Sequence, residues 1–131
     1  MRRQSREIAL QSLFQTEFTA HISHHDFLSL LEESIDKASI DYADLLINGV
    51  KHHSSEIDAL IQKNSAHWSI ARMGLVDKNI LRIAIFEMIF APEKIKPNIV
   101  INECIEIAKK YGTSDSGSFV NGILDSIAKG L

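Results

Sequence analysis

The chain has 131 residues, of which 45% are hydrophobic and 24% are charged, with two prolines and six glycines. This composition is typical of one globular domain and excludes disordered and fibrous proteins. The net charge of −3 excludes a uniformly basic nucleic-acid binder, so any site for nucleic acid must be local. A single cysteine cannot form an internal disulfide, and no segment approaches the roughly 18 apolar residues of a membrane span. We expect a cytoplasmic protein, neither secreted nor in a membrane.

The N-terminal half contains three stretches with apolar residues at three- and four-residue spacing, which predicts helices. The first helix runs from Arg3 to Thr19, and a short one follows His24 or Asp26. A longer helix begins with Asp41 as its N-cap and continues to about Gln62.

A connector from Asn64 to Gly74 separates the two halves of the chain, and we expect Trp68 and Met73 to be its apolar anchors. The helix that begins at Asp77 is apolar nearly all round until Pro92 ends it. This pattern predicts a central buried helix.

Two more helices complete the pattern. One runs from Pro97 to Tyr111 with Gly112 just past its end, and the last is capped by Ser114 and Asp115. No strand pattern is present, so the predicted fold class is all-α, with about seven helices in two small antiparallel bundles that share one core. Residues 1–131 then form a single domain, subdivided near 64–76 into an N-terminal bundle, 1–64, and a C-terminal bundle, 76–131.

Arg2, Arg3 and Arg6 fall on one side of the first helix, beyond its apolar stripe. We expect all three to project from the end of the core as one patch. Cations at a helix N-terminus oppose the helix dipole, whereas a phosphate there is favoured by the arginines and by free backbone N–H groups. The patch therefore indicates an anionic ligand, with ordinary solvated surface as the alternative.

The segment 111–116 joins the last two helices and offers an aromatic ring, hydroxyls and free N–H groups. Such groups suit stacking on unpaired RNA bases and contact with phosphates. Ordinary helix capping is the alternative interpretation.

The sequence has no glycine-rich phosphate loop, nucleophile elbow or paired-cysteine motif, so we expect no catalytic residue, metal or cofactor. The histidines at 21–25 and 52–53 lack a second set of ligands. Arg82 and Glu87 interrupt the most apolar helix, and we expect them to pair with other elements in a structural network rather than to act as catalysts.

Three parts of the sequence carry a resemblance that periodicity cannot show. They are residues 3–14 (RQSREIALQSLF), residues 81–87 (LRIAIFE), and a C-terminal set made of 101–103 (INE), 108–109 (AK) and 119–125 (FVNGILD). In this order the sequence closely resembles the NusB family of bacterial antitermination factors.

The resemblance implies a non-enzymatic, all-helical protein that binds boxA-type single-stranded RNA together with NusE, a ribosomal protein of the small subunit. It also implies a place in the RNA polymerase antitermination complex that supports ribosomal RNA transcription. The implied RNA-binding residues are Arg2, Arg3, Arg6, Tyr111, Gly112, Asp115, Ser116 and Phe119. The implied NusE-binding residues are Phe14, Phe18 and Asp77, and Phe14 is also a candidate for the core.

Two other classes of function stay open on the sequence. A protein-only helical adaptor would hold a ribosomal or transcription protein in an apolar groove. A metal-assisted hydrolase would use the histidines. The sequence is also compatible with a monomer or with a homodimer.

Overall fold

The computed structural model describes residues 2–18, Leu28 and 34–131. Within these residues the helices are α1 (Arg2–Phe18), α2 (Lys37–His52), α3 (Ser54–Lys63), α4 (Leu75–Ile85), α5 (Pro97–Tyr111) and α6 (Ser116–Lys129). The described residues contain no strand, so the predicted all-α class is confirmed. The short helix expected after residues 24–26 lies almost entirely outside the described residues.

Helix α4 is the centre of the fold. It packs against α1, α2, α3, α5 and α6, and its residues 79–81 and 83–85 are buried. A π-helical turn, Phe86–Phe90, extends it, closed by the N–H of Ala91, which donates to the carbonyl of Phe86 at 2.8 Å. The predicted central buried helix is thereby confirmed. No helix in the described part of the chain combines the length and apolar character needed to cross a bilayer.

The long helix of the N-terminal half differs from its prediction at both ends. Its N-cap is Asp36, whose carboxylate accepts from the N–H of Ser39 at 3.1 Å and from the Ser39 hydroxyl at 2.8 Å. The predicted cap, Asp41, lies inside the helix and pairs with Lys37 at 3.0 Å. The helix also stops at His52, and a separate helix follows. The apolar spacing continued across this break because both helices face the same core.

The connector between the halves is held by polar contacts as well as by an apolar anchor. Met73 is buried as expected, but Trp68 is 57% exposed, so its predicted role as an anchor is wrong. The backbone carbonyl of Trp68 accepts hydrogen bonds from the side chains of Gln62 and Ser65, at 3.0 and 3.1 Å. These bonds fix the turn without burying the indole.

Candidate nucleic-acid interface

Arg6 lies inside the protein and forms a buried ion pair with Glu87. Its Nε and Nη2 donate to the two Glu87 carboxylate oxygens at 2.6 and 3.0 Å. The two side chains are 2% and 0% exposed, and the Tyr42 hydroxyl donates to the same carboxylate. The expectation that Arg6 projects with Arg2 and Arg3 is therefore wrong, because Arg6 lies one helical turn further along α1, where Glu87 of the central helix faces it.

The protonation states of this cluster follow from its geometry. Burial opposes the charge of Arg6, but the hydrogen bond and negative charge of Glu87 outweigh it and raise the pKa of Arg6. Burial, together with Glu87, also raises the pKa of Tyr42 well above its ordinary value. At neutral pH the cluster holds a guanidinium and a neutral phenol. The prediction that Glu87 pairs structurally is confirmed.

Arg82 also pairs with other elements, as predicted. Its Nε and Nη2 donate to Asp58 of α3 at 2.9 and 3.0 Å, and its Nη1 donates to Glu17 of α1 at 3.1 Å. These bonds tie α1 and α3 to the central helix, a structural role.

The other two arginines lie at the surface, each with a different partner. The guanidinium of Arg2 lies 4.2 Å from the ring centroid of Tyr42, within the range of a cation–π contact. Arg3 makes a two-point contact with Glu103 of α5, at 2.9 Å from Nε and 2.8 Å from Nη2. This contact raises the pKa of Arg3 and lowers the pKa of Glu103. Arg2, Arg3 and Glu103 line a groove whose apolar wall is Ile95 and Ile99, and the buried Arg6 also lines it.

Tyr111, at the end of α5, is tied back to the arginine-bearing helix. Its hydroxyl donates to Glu7 of α1 at 3.0 Å. Lys110 also contacts Glu7, at 3.2 Å, and its ammonium lies 5.2 Å from the Tyr111 ring centroid. Helix α1 therefore carries the surface arginines and, through Glu7, also anchors the end of α5, from which the 111–116 segment continues.

The 111–116 segment is braced from within by Gly112 and Ser116. The Ser116 hydroxyl is buried and accepts from the N–H of Thr113 at 2.9 Å. A Cβ on Gly112 would overlap this hydroxyl and would lie 2.8 Å from the carbonyl of Ala108. Asp115 occupies the N-cap position without a side-chain cap bond, so the predicted capping by its carboxylate is wrong. Its side chain is exposed instead.

Phe119, Asp115 and Asp77 line one shallow groove, although the sequence assigned the first two to RNA and the third to NusE. Trp68 and Met73 line the same groove. Trp68 was not predicted as a site residue, because an apolar ring in a connector was expected to be buried. The signal available in the sequence was the place of Trp68 in the connector that leads into α4.

Phe14 is half-buried on α1 and lines a second groove with Leu10, Val76 and Tyr111. The structure thus brings a residue predicted for NusE next to one predicted for RNA. The Phe18 side chain lies outside the described residues.

The described residues offer no metal site or reactive thiol. They contain no group of three or more histidine, cysteine or acidic side chains suited to holding a metal ion. The histidines at 21–25 lie outside the described residues. Cys104 is buried, and burial raises its pKa to about 12.

Residues 3–129 match the model of the NusB family. The chain belongs to the NusB family. It is 60% identical over 128 residues to the transcription antitermination protein NusB of Bdellovibrio bacteriovorus, an alignment that covers 98% of this chain and 95% of the relative. The resemblance seen in the sequence is confirmed.

Solved structures agree with this membership. NusB of T. maritima superposes with a TM-score of 0.88 and 42% identity, covering 98% of this chain and 91% of that one. A crystal structure of the antitermination factors NusB and NusE in complex with dsRNA includes a chain that matches with a TM-score of 0.84 and 32% identity, covering 99% and 97%. Because the family consists of non-enzymatic antitermination factors, the expectation that the chain is not an enzyme is confirmed.

Proposed function

We propose that this chain binds boxA RNA together with NusE and joins the RNA polymerase antitermination complex, in the cytoplasm, to support ribosomal RNA transcription. The observation that carries the proposal is that α1 unites the surface arginines with the Tyr111 segment, through Glu7. This gives an acidic chain one local surface with both cations and an aromatic ring, as single-stranded RNA requires. The likeness to a NusB solved with NusE and dsRNA supports NusE and RNA as the two partners.

The predicted RNA residues divide into two groups by their burial. Arg2 and Arg3 are exposed and suit phosphates, while Tyr111 and Phe119 offer partly exposed rings to bases and Asp115 offers an exposed carboxylate to base edges. Arg6, Gly112 and Ser116 form the second group, which supports the RNA surface through internal contacts. Their buried contacts hold α1 and the 111–116 segment in shape, and Arg6 would have to leave Glu87 before it could reach a phosphate.

For NusE we propose the two neighbouring grooves that contain Phe14 and Asp77. Each has an apolar wall, and the second adds the carboxylates of Asp77 and Asp115, which outnumber its one cation, Arg72, and suit a basic ribosomal protein. Trp68 is the single tryptophan and lines the second groove. NusE binding is therefore expected to shift its fluorescence, and an unchanged spectrum at saturating NusE would contradict this placement.

The test is a fluorescence titration of boxA RNA and of a scrambled RNA of equal composition, with and without NusE, over a salt series. Arg3→Ala is expected to weaken the binding of both RNAs equally. It is also expected to reduce the slope of log affinity against log salt concentration by about 0.7. Lys129→Ala is the matched control, because it also removes one exposed cation that pairs with a single carboxylate, at 3.0 Å.

Tyr111→Leu is expected to erode the preference for boxA, since stacking of one base contributes about 1–3 kcal/mol. Tyr111→Phe keeps the ring and removes only the hydroxyl that binds Glu7, so it separates stacking from positioning. Equal affinity of the unmodified protein for boxA and scrambled RNA, even with NusE, would overturn the proposal and favour the protein-only adaptor.

A further inference from the structure

The Glu103 carboxylate lies between the surface side chain of Arg3 and the buried Arg6–Glu87 ion pair. It accepts both hydrogen bonds of the Arg3 fork, and its Oε1 lies 3.8 Å from Nη1 of Arg6. Its side chain is 30% exposed, and that of Arg3 is 48% exposed. A ligand from solution can therefore reach this contact.

A carboxylate and a phosphate make the same two-point contact with a guanidinium. An RNA phosphate cannot use the Nε and Nη2 edge of Arg3 while Glu103 occupies it. Arg2 differs, since it lies on the ring of Tyr42 and no carboxylate of residues 2–18, Leu28 or 34–131 is within 4.0 Å of its guanidinium. The two neighbouring arginines thus differ in how open they are to an anion.

We propose that Glu103 masks Arg3 in the free protein and that an RNA phosphate replaces the Glu103 carboxylate on binding. The proposal rests on the RNA-binding function proposed above. Arg2 takes the first phosphate, and Arg3 changes partner when a second phosphate is correctly placed. The released carboxylate stays beside Arg6, whose Nη1 is already 3.8 Å away. The mask lowers the affinity for isolated anions and favours a ligand that supplies two spaced phosphates.

Glu103→Gln tests the mask, because glutamine keeps the size of the side chain and removes its charge. The variant is expected to bind both boxA and scrambled RNA about two- to fivefold more tightly, the range typical of an exposed ion pair that no longer competes. Asp125→Asn is the matched control, since it also removes one negative charge from an exposed pair, with Lys129 at 3.0 Å, and is expected to leave affinity nearly unchanged.

Arg3→Ala is expected to cancel the effect of Glu103→Gln, so that the double variant binds RNA no more tightly than Arg3→Ala alone. An unchanged affinity of Glu103→Gln would overturn the mask, and a weaker affinity would overturn it and make Glu103 a positioning residue for Arg3. Thermal unfolding of each variant confirms that the compared proteins are folded.

A second titration, with inorganic phosphate, separates this proposal from the RNA-binding function. The ¹⁵N signal of Arg3 Nε is followed in the unmodified protein and in Glu103→Gln. A shift at lower phosphate concentration in the variant supports the mask, and identical responses overturn it. If neither protein binds RNA, the proposed function fails while the phosphate titration still decides the role of Glu103.

Discussion

Replacing Glu87 with alanine is expected to leave the charge of Arg6 buried without its partner. The two side chains are 2% and 0% exposed, and three hydrogen bonds end on this carboxylate, two from Arg6 and one from Tyr42. Glu103 replaces it only weakly, because its Oε1 lies 3.8 Å from Arg6 Nη1, beyond hydrogen-bond distance, and both of its oxygens accept from Arg3. Removing one partner of a buried pair costs about 3–5 kcal/mol, which for a chain of this length lowers Tm by roughly 10–20 °C.

The assay is urea unfolding of Glu87→Ala followed by far-ultraviolet circular dichroism. The double variant Arg6→Met with Glu87→Leu removes both charges and fills the space with apolar atoms, so it is expected to regain most of the lost stability. Glu87→Gln keeps an acceptor for the Tyr42 hydroxyl, so its free energy of unfolding should lie between those of Glu87→Ala and the unmodified protein. A loss below about 1 kcal/mol for Glu87→Ala, or a double variant no more stable than it, would refute the reasoning.

Three further outcomes follow from buried contacts. Arg6→Ala, measured well below its Tm, should leave the salt slope of RNA binding unchanged, and a slope reduced by about 0.7 would show direct phosphate contact. Gly112→Ala should lower the free energy of unfolding by about 1–3 kcal/mol, since its methyl overlaps the Ser116 hydroxyl; an unchanged urea midpoint would contradict this. Stability should fall as pH rises above 9, because Cys104, with its pKa raised from 9.0 to about 12, keeps a proton that the unfolded chain loses; Tyr42 adds to the fall above pH 10. Urea midpoints at about pH 8 and pH 10 measure this fall, and Cys104→Ala should abolish the part that Cys104 contributes.

The helices could be predicted from the sequence wherever a local signal sets their ends. The bounds Pro97–Tyr111 were predicted correctly, since proline favours the first helical turn and Gly112 follows the last. The N-cap of α2 was assigned to Asp41, whereas the cap is Asp36, whose carboxylate accepts from both the N–H and the hydroxyl of Ser39. Apolar spacing alone does not distinguish these positions.

The sequence could suggest residues for the candidate site but could not say which of them are buried. Helical spacing puts Arg6 on the same side as Arg2 and Arg3, yet it cannot say that Glu87, 81 residues later, turns Arg6 inward. Trp68 was expected to be buried because of its residue type. Glu103 belongs to a motif that carried the family resemblance, but its contact with Arg3 spans 100 residues and has no local signature.

The long sequence separation of the α1 contacts determines the order in which these residues and their partners are synthesised. Arg6 pairs with a residue 81 positions later, Arg3 with one 100 positions later, and Glu7 with Tyr111, 104 positions later. A chain made from its N-terminus therefore produces its arginines first and their partners last. Until Glu87 has left the ribosome, the growing chain carries Arg6 without its buried partner, and until α5 has left it, Arg3 has no surface partner. The complete surface forms only after α5 has been made.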